Sequence, residues 1–165
     1  MKNPFRLRSL ALLILAAMFS TAGHGHSEEL YTVGSAVSTF SANDQFGAPF
    51  KFGPDCRALM ISFDMATGKQ ANLKLSALGK NFLPEHHAVF MANIHEMPAI
   101  GRAFALPKMR SYAHRIVLAD DPTLLTPFPK QEKRVTVLLL QKGKVTGVRY
   151  WEPEREDVAN ILGSR

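Results

Sequence analysis

The chain has 165 residues, of which 46% are hydrophobic, and a formal net charge of +6. This length and composition predict one globular domain with its own core and exclude a disordered chain. Lysine and arginine alternate with acidic residues along the chain, which excludes the continuous basic stripe of a nucleic-acid-binding protein.

The first 22 residues have the layout of a secretory signal peptide. Lys2, Arg6 and Arg8 precede an apolar run over residues 10–19, and small residues follow at 20–23. A membrane-spanning helix needs roughly 20 apolar residues, so this run is too short to be an anchor. The cleavage region contains no cysteine that could accept a lipid.

We therefore predict a signal peptide over residues 1–22, cleaved after Ala22 or within a few residues of it. A short N-terminal segment (23–39) and one domain (40–165) follow. Removal of the three leader cations lowers the formal charge to +3. The mature protein is expected to be exported and soluble, either periplasmic or secreted.

The first half of the domain alternates between strand and helix patterns. Residues 29–40 have strand-like composition, and residues 44–52 resemble a short hairpin around Gly47 and Pro49. Residues 57–63 form a continuous apolar run, typical of a buried central strand. Residues 68–80 have helical spacing and end at Gly79, a plausible helix cap.

The second half continues the alternation. Residues 87–94 and 115–120 read as buried strands, separated by a helix over 97–112 that Pro107 should kink or divide. Residues 121–130 contain three prolines and predict a loop.

The chain ends in a hairpin and a helix. Residues 134–151 form two β-rich runs around Lys142 and Gly143, and residues 152–165 predict a helix with acidic residues in its first turn. The apolar start of the hairpin is either an interaction edge or, as its position favours, a central strand. The whole order predicts an α/β fold with a central sheet covered on both faces.

This order resembles the thioredoxin-like fold in its redoxin version, a central mixed sheet flanked by helices with an N-terminal β-hairpin. The resemblance covers roughly residues 40–163 and depends on the motifs DQFGAPFKF, RALMISF, RIVLAD and VTVLLLQKGKV in that order. The layout also resembles an exported bacterial family of thioredoxin-like proteins with no assigned activity.

The active-site residues of that fold are missing. The loop Asp64–Gly68 stands where the Cys-x-x-Cys pair of the resembling family begins, and Val135 aligns with its cis-proline. A cis bond before a residue other than proline is rare, so that feature is expected to be lost. The resemblance therefore implies the scaffold without dithiol chemistry.

Cys56 is the only cysteine, so the chain can form no internal disulfide. It precedes the first buried strand, at the opposite end from the redoxin active site. Arg57 is adjacent and would favour a thiolate, which leaves a peroxidatic or regulatory thiol as an alternative. The interpretation that we favour is an inert, partly buried thiol.

The histidines suggest a second alternative, copper binding. His24 and His26 follow the predicted cleavage site, and cleavage after Gly23 would place His26 third in the mature chain. A free amine, two amides and that imidazole can form a tetragonal copper(II) or nickel(II) site.

A second group of possible ligands surrounds one predicted strand. His86, His87, His95, Met91 and Met97 lie on or beside what the pattern presents as one strand end, and imidazole and thioether suit copper. The simpler interpretation is surface histidines and core methionines.

Acid–base chemistry is a further possibility. Glu85, His86, Asp120 and Asp121 are expected near the carboxyl ends of strands, where open α/β sheets bind ligands. No nucleophile elbow, phosphate loop or dinucleotide fingerprint accompanies them, and Asp120 and Asp121 before Pro122 also suit a simple turn.

These observations lead to three hypotheses. The first is an exported, non-redox thioredoxin-like binding or accessory protein, whose partner is an unidentified envelope protein or small ligand. The second is a redox enzyme, a peroxidase or thiol-dependent reductase, that uses Cys56 alone or with a partner's thiol. The third is a periplasmic copper-binding protein. Under the first hypothesis we expect no cofactor and, after cleavage of the signal peptide, no association with a membrane.

Overall fold

The computed structural model of the protein describes residues 29–163. The predicted signal peptide and the candidate ligands His24 and His26 lie outside the described residues. Seven strands occur in the order β1 (Ser41–Asp44), β2 (Pro49–Lys51), β3 (Ala58–Ser62), β4 (Ala88–Asn93), β5 (Val117–Ala119), β6 (Val135–Gln141) and β7 (Lys144–Trp151). The helices are α1 (Met65–Ala77), α2 (Phe82–Glu85), α3 (Ala99–Arg110) and α4 (Val158–Leu162).

The strands form one mixed sheet in the order β2-β1-β5-β4-β3-β6-β7. The three central strands β5, β4 and β3 are parallel, and the hairpins β1–β2 and β6–β7 extend the sheet antiparallel on either side. The carboxyl ends of β3, β4 and β5 therefore meet at one edge, which we call the carboxyl edge.

The two faces of the sheet are covered differently. One core contains side chains from all four helices, including Leu75 of α1, Leu83 of α2 and Val158 of α4. The other core is closed by connecting segments, through residues such as Val37, Phe52 and Phe128. The sheet is thus covered on both faces, as predicted, with the described helices on one face and loops on the other.

The strand predictions for the centre of the sheet are confirmed. All five residues of β3 are buried, as the continuous apolar run 57–63 predicts for a strand covered on both sides. Strand β6 pairs with β3 on one side and β7 on the other, so its apolar run is a central strand and not an interaction edge.

Both predicted hairpins form, although the first strand of the N-terminal hairpin, Ser41–Asp44, begins before the predicted range 44–52. In the first, the Asp44 carboxylate accepts hydrogen bonds from the backbone N–H groups of Phe46 and Ala48, each 2.9 Å long. In the second, Lys142 and Gly143 both have positive φ, 49° and 75°. Two successive positive φ values define the tight turn that matches strand twist, and glycine adopts the second without steric cost.

The strand-like segment 29–40 is different from the prediction. It forms a single isolated bridge, Ala36 with Lys144, because Thr32 and Ser35 close a turn that interrupts it. Val37 is nevertheless buried in the loop-covered core. The boundary at residue 40 stays a prediction, but residues just before it already pack against the sheet.

The prediction that Pro107 kinks or divides the helix is partly wrong. Helix α3 runs from Ala99 to Arg110 without a division at Pro107. The ring of a proline clashes with the carbonyl four residues earlier and supplies no N–H to it, but at the exposed Pro107 these costs do not end the helix. The helix itself has no buried residue.

Two helix ends also differ from the sequence patterns. Helix α1 begins at Met65, so the predicted loop 64–68 is mostly helix, with only Asp64 outside it as the cap. Helix α4 covers five residues and begins after Asp157, whose carboxylate accepts from the N–H of Ala159. The acidic residues predicted for its first turn lie before it, in turns at 153–156. No helix within residues 29–163 is long and apolar enough to cross a membrane.

Candidate binding site

The carboxyl end of β3 and the start of α1 form the centre of the candidate site. Asp64 caps α1, and its Oδ1 accepts a hydrogen bond of 2.8 Å from the backbone N–H of Thr67. Continuing the β3–β6 register places Val135 opposite Ser62, beside this helix start. The alignment of Val135 with the active-site end of β3 is therefore consistent with the register. The helix start itself carries Asp64, Met65 and Ala66 and contains no thiol.

A cavity of about 330 Å³ opens beside this helix start, between α1 and α3; we call it the α1–α3 cavity. Ser62, Ala92 and Asn93, from the ends of β3 and β4, lie at its base. Its walls are Gly68 and Asn72 of α1 and Gly101 and Ala105 of α3, among other residues. The lining is mainly apolar, and its volume is at the lower end of the roughly 300–1,000 Å³ typical of small-molecule sites.

Two glycines keep the helix backbones close to the base and walls of this cavity. A β-carbon on Gly68 would lie 3.1 Å from Oγ of Ser62, and one on Gly101 would lie 3.2 Å from Cγ of Met97. Larger residues at either position would have to displace these neighbours. The absence of a side chain at these two positions therefore leaves room for Ser62 and Met97, which also line the cavity.

The mouth of the cavity combines exposed apolar side chains with two cations. Met65 is 61% exposed and Phe104 is 76% exposed, although both line the cavity. Lys69 of α1 and Lys108 of α3 also line it and are exposed. The ion pairs within residues 29–163 involve neither lysine. Nζ of Lys108 lies 5.4 Å from the Tyr112 ring centroid, a cation–π distance.

A buried polar pair supports the inner wall. Nε2 of His114 donates a 3.0 Å hydrogen bond to Oδ1 of Asn72, which lines the cavity. His114 is 2% exposed, and its Nδ1 has no hydrogen-bond partner among the described residues. Burial lowers the pKa of His114 to about 4, so its imidazole is neutral at pH 7. Asn72 is thus a lining residue whose amide oxygen is already occupied by His114.

Cys56 lies at the other edge of the sheet, before β3, as predicted. Its Sγ donates to the backbone oxygen of Ala58 at 3.3 Å, and the side chain is partly buried. Burial raises its pKa to about 11, which opposes thiolate formation. Arg57 and His87 line the same depression as Cys56, which has a volume of about 890 Å³, but the pKa of the thiol stays high. The structure therefore separates the only cysteine from the helix start where the redoxin thiols would stand.

The predicted histidine group is divided between the two edges. His86 and His87 precede β4, whereas His95 follows it, so they do not share a strand end as the sequence pattern suggested. His86 bonds through Nδ1 to the Phe82 carbonyl at 2.8 Å, and His95 bonds through Nδ1 to the Asp120 carbonyl at 3.0 Å. The error arose because the length of the intervening strand, β4, carries the chain across the sheet.

The two methionines of this group also separate. Met91 is buried in the loop-covered core, and Met97 lines the α1–α3 cavity on the helical face. Within residues 29–163, no group of three or more histidine, cysteine, aspartate or glutamate residues is placed to hold a metal ion. Copper binding through His24 and His26 stays a prediction, because both lie outside the described residues.

The acid–base candidates are divided in the same way. Asp120 and Asp121 follow β5 at the carboxyl edge, as predicted, but Glu85 and His86 precede β4 at the opposite edge. A hydrogen bond from Arg102 lowers the pKa of Asp120, and hydrogen bonds from Thr123 lower that of Asp121. Both carboxylates therefore stabilise a turn and an ion pair, consistent with the simpler interpretation of these residues.

The α1–α3 cavity and the Asn72–His114 pair were not predicted from the sequence. The available signal was a polar Asn72 between Ala71 and Leu75, the apolar positions of a helix face. His114 likewise stood just before an apolar strand. Only the packing of α1 against the segment before β5 shows that these residues meet.

Comparison with solved structures places this geometry in a known fold. A peroxiredoxin-like protein from Aquifex aeolicus is similar over 81% of this chain and 86% of its own, with a TM-score of 0.54 and 12% identity. The thioredoxin domain of a thiol-disulfide oxidoreductase from Bacteroides vulgatus is similar over 80% and 99%, with a TM-score of 0.51 and 12% identity. A peroxidoxin from Mycobacterium tuberculosis is similar over 79% and 92%, with a TM-score of 0.50 and 16% identity.

No protein-family model matches the chain. No curated protein matches it either. The similarity to solved structures therefore shows the fold alone. The mixed seven-stranded sheet, its helices and the redoxin-type N-terminal hairpin give this chain a thioredoxin-like fold, in which the start of α1 carries no thiol.

Proposed function

We propose that the mature chain is an exported, non-redox thioredoxin-like binding protein and that the α1–α3 cavity is its binding site. The observation that carries this proposal is the position of the cavity. It opens at the start of α1, the place where the fold's redox members carry their thiols, and it is lined mainly by apolar groups.

The chemistry of Cys56 supports the same proposal. A dithiol exchange needs an attacking thiolate and a resolving thiol within reach, and this chain has one cysteine. That cysteine has a pKa of about 11 and lies at the edge of the sheet away from α1. Neither property favours attack on a disulfide or a peroxide at neutral pH.

Export is the second part of the proposal. It is supported by the basic start, the short apolar run and the small residues before position 23. A periplasmic location follows if the source has an outer membrane. N-terminal sequencing of exported protein should begin between Gly23 and Ser27, and soluble cytoplasmic protein that retains Met1 would contradict it.

The redox alternative rests on the surroundings of Cys56. Arg57 and His87 line the depression that contains this thiol, and the named functions of the similar solved structures are redox functions. In this alternative a second protein or a small thiol would resolve a mixed disulfide on Cys56. Copper binding through His24 and His26 stays a prediction, and the described residues give it no support.

Turnover measurements separate the two functions. Insulin-disulfide reduction and hydrogen peroxide consumption, each with dithiothreitol as donor, should show equal background rates for the parent and the Cys56→Ser variant. Turnover in the parent that disappears in the variant would overturn the non-redox proposal.

The binding part has a separate test with the neutral apolar dye Nile red. Its fluorescence should rise with the parent and with Cys56→Ser, and should not rise with Ala105→Trp, whose indole fills the α1–α3 cavity. Circular dichroism and the unfolding midpoint verify that the tryptophan variant is folded. A folded Ala105→Trp protein that still binds the dye would place the binding site elsewhere.

A further inference from the structure

The α1–α3 cavity has a charge pattern that selects a class of ligand. Its interior is apolar, while the two exposed lysines at its mouth come from opposite helices, Lys69 from α1 and Lys108 from α3. Asp64, the carboxylate in the lining, already accepts the cap hydrogen bond from Thr67. That hydrogen bond comes from a neutral N–H group and leaves the charge of Asp64 in place, so the one carboxylate and two ammonium groups of the lining give it a net charge of +1.

We infer that the ligand is a single-chain amphiphilic carboxylate, such as a medium-chain fatty acid, with its chain in the cavity and its carboxylate between Lys69 and Lys108. This inference rests on the proposed function and names the ligand class of that same site. Two ammonium groups on opposite sides of one opening can both contact one carboxylate.

The apolar part of the argument comes from the mouth and the walls. Met65 and Phe104 are largely exposed to water while facing the cavity, so an alkyl chain would cover apolar surface that the protein leaves open. The volume of about 330 Å³ suits one unbranched chain better than a bulky two-chain lipid. Methionine side chains at positions 65, 97 and 109 adapt readily to a flexible chain.

The packing of α3 permits entry of such a chain. No residue of α3 is buried, and polar contacts fix the helix at both ends. Arg102 pairs with Asp120 and also donates to the carbonyl of Met97, while Arg110 donates to the carbonyl of Gln45. Met109 near the end of α3 packs against the buried core, so the first turns of α3, which the polar contacts of Arg102 hold, are the part that can shift to admit a ligand.

The test is isothermal titration of the exported protein with dodecanoate, kept below its micelle-forming concentration. The parent should bind one dodecanoate per chain. The double variant Lys69→Met/Lys108→Met should bind it roughly tenfold more weakly, because two exposed charge-assisted contacts are removed. Lys74→Met, a matched change on α1 away from the cavity, should bind like the parent.

Three further arms complete the test. The methyl ester of dodecanoate, which has no charge, should bind the parent about as weakly as dodecanoate binds the double variant. Ala105→Trp should not bind dodecanoate. When vesicles of dioleoylphosphatidylglycerol are sedimented by centrifugation, the parent protein should stay in the supernatant, since the site binds a free acid and not a membrane surface.

Each opposite result overturns the inference. The inference is wrong if the parent releases no binding heat, or if the double variant binds dodecanoate as tightly as the parent does. It is also wrong if the parent binds the methyl ester as tightly as dodecanoate, if folded Ala105→Trp still binds dodecanoate, or if the parent sediments with the vesicles. Failure of the ligand class is distinguishable from failure of the function: Nile red would still bind in the cavity without dodecanoate preference, whereas Cys56-dependent turnover would reject the function itself.

Discussion

The imidazole of His114 donates a hydrogen bond to the Asn72 amide oxygen, at 3.0 Å, behind the wall of the α1–α3 cavity. The contact joins the segment before β5 to the middle of α1, and both side chains are buried. It holds the amide oxygen of Asn72, a residue that lines the cavity, against His114. Because His114 remains neutral in the folded protein, this contact depends on pH in a way that can be measured.

The first prediction concerns stability between pH 6.5 and pH 4. Unfolded His114 binds a proton below about pH 6.5, whereas the folded residue does so only below about pH 4. The unfolded state therefore binds more protons in this window, and His114 lowers the free energy of unfolding as the pH falls, by roughly 3 kcal/mol in all. Below pH 4 this contribution does not change further.

Urea unfolding at intervals from pH 7 to pH 4 measures this effect, with His114→Gln as the control. Glutamine can still donate to Asn72 but has no titrating ring. The parent should lose more stability than the variant across the window. Parallel pH curves for the two proteins would mean that His114 is accessible to protons in the folded state.

The second prediction concerns Asp44 in the first hairpin. Burial opposes ionisation of this carboxylate, but bonds from the N–H groups of Ala48 and Phe46 and from Arg115 lower its pKa. Asp44→Ala should reduce the free energy of unfolding by about 1–3 kcal/mol, because two partly buried hydrogen bonds and the ion pair with Arg115 are lost. Since the folded pKa is lowered, this stabilisation is present above about pH 4 and is lost as the pH falls through the folded pKa.

Chemical denaturation of Asp44→Ala at pH 7 and pH 3 tests this prediction. The difference from the parent should shrink at pH 3. Asp55→Ala, in the loop before β3, is the control and should have little effect at either pH. A constant difference at both pH values would show that the charge of Asp44 is unimportant.

The third prediction concerns thiol reactivity. With a pKa of about 11, Cys56 has few thiolates at pH 7.5, so an aromatic disulfide reagent should react roughly a hundredfold more slowly with folded than with urea-unfolded protein. Stopped-flow absorbance measures both rates, and Cys56→Ser gives the blank. If Cys56 reacts as fast in the folded protein as in the unfolded protein, the thiol is reactive and the redox alternative is favoured.

The fourth prediction concerns Pro107 in α3. Proline has no N–H to donate to the carbonyl of Ala103, one turn earlier, and this side chain is exposed. Pro107→Ala should therefore raise the free energy of unfolding by about 1–3 kcal/mol, measured by urea denaturation. A decrease would mean that the ring makes contacts that outweigh the missing hydrogen bond.

The elements that were predictable from sequence share one property: their pattern is local. The apolar run of β3 and the Lys142–Gly143 turn each follow from neighbouring residues, and both are found in the structure. The strand prediction for residues 29–40 was wrong because the turn that Thr32 and Ser35 close interrupts a segment of strand-like composition.

The site was less predictable because it depends on long-range packing. His114 and Asn72 are 42 positions apart, and no local pattern connects them. The division of His86, His87 and His95 between opposite edges likewise depends on the direction in which β4 crosses the sheet. The missing thiol at the start of α1, by contrast, was visible in the sequence once the order of elements was recognised.

The central claim, that this thioredoxin-like chain binds an amphiphile beside α1 instead of reacting through its thiol, is tested most directly by an amide chemical-shift map. Nitrogen–proton correlation spectra would be recorded while dodecanoate is added to the protein without residues 1–22. The largest shifts are predicted at Gly68, Asn72, Gly101 and Ala105, with little change at Cys56 and His87. Shifts centred on Cys56 and His87, or no shifts at all, would contradict it.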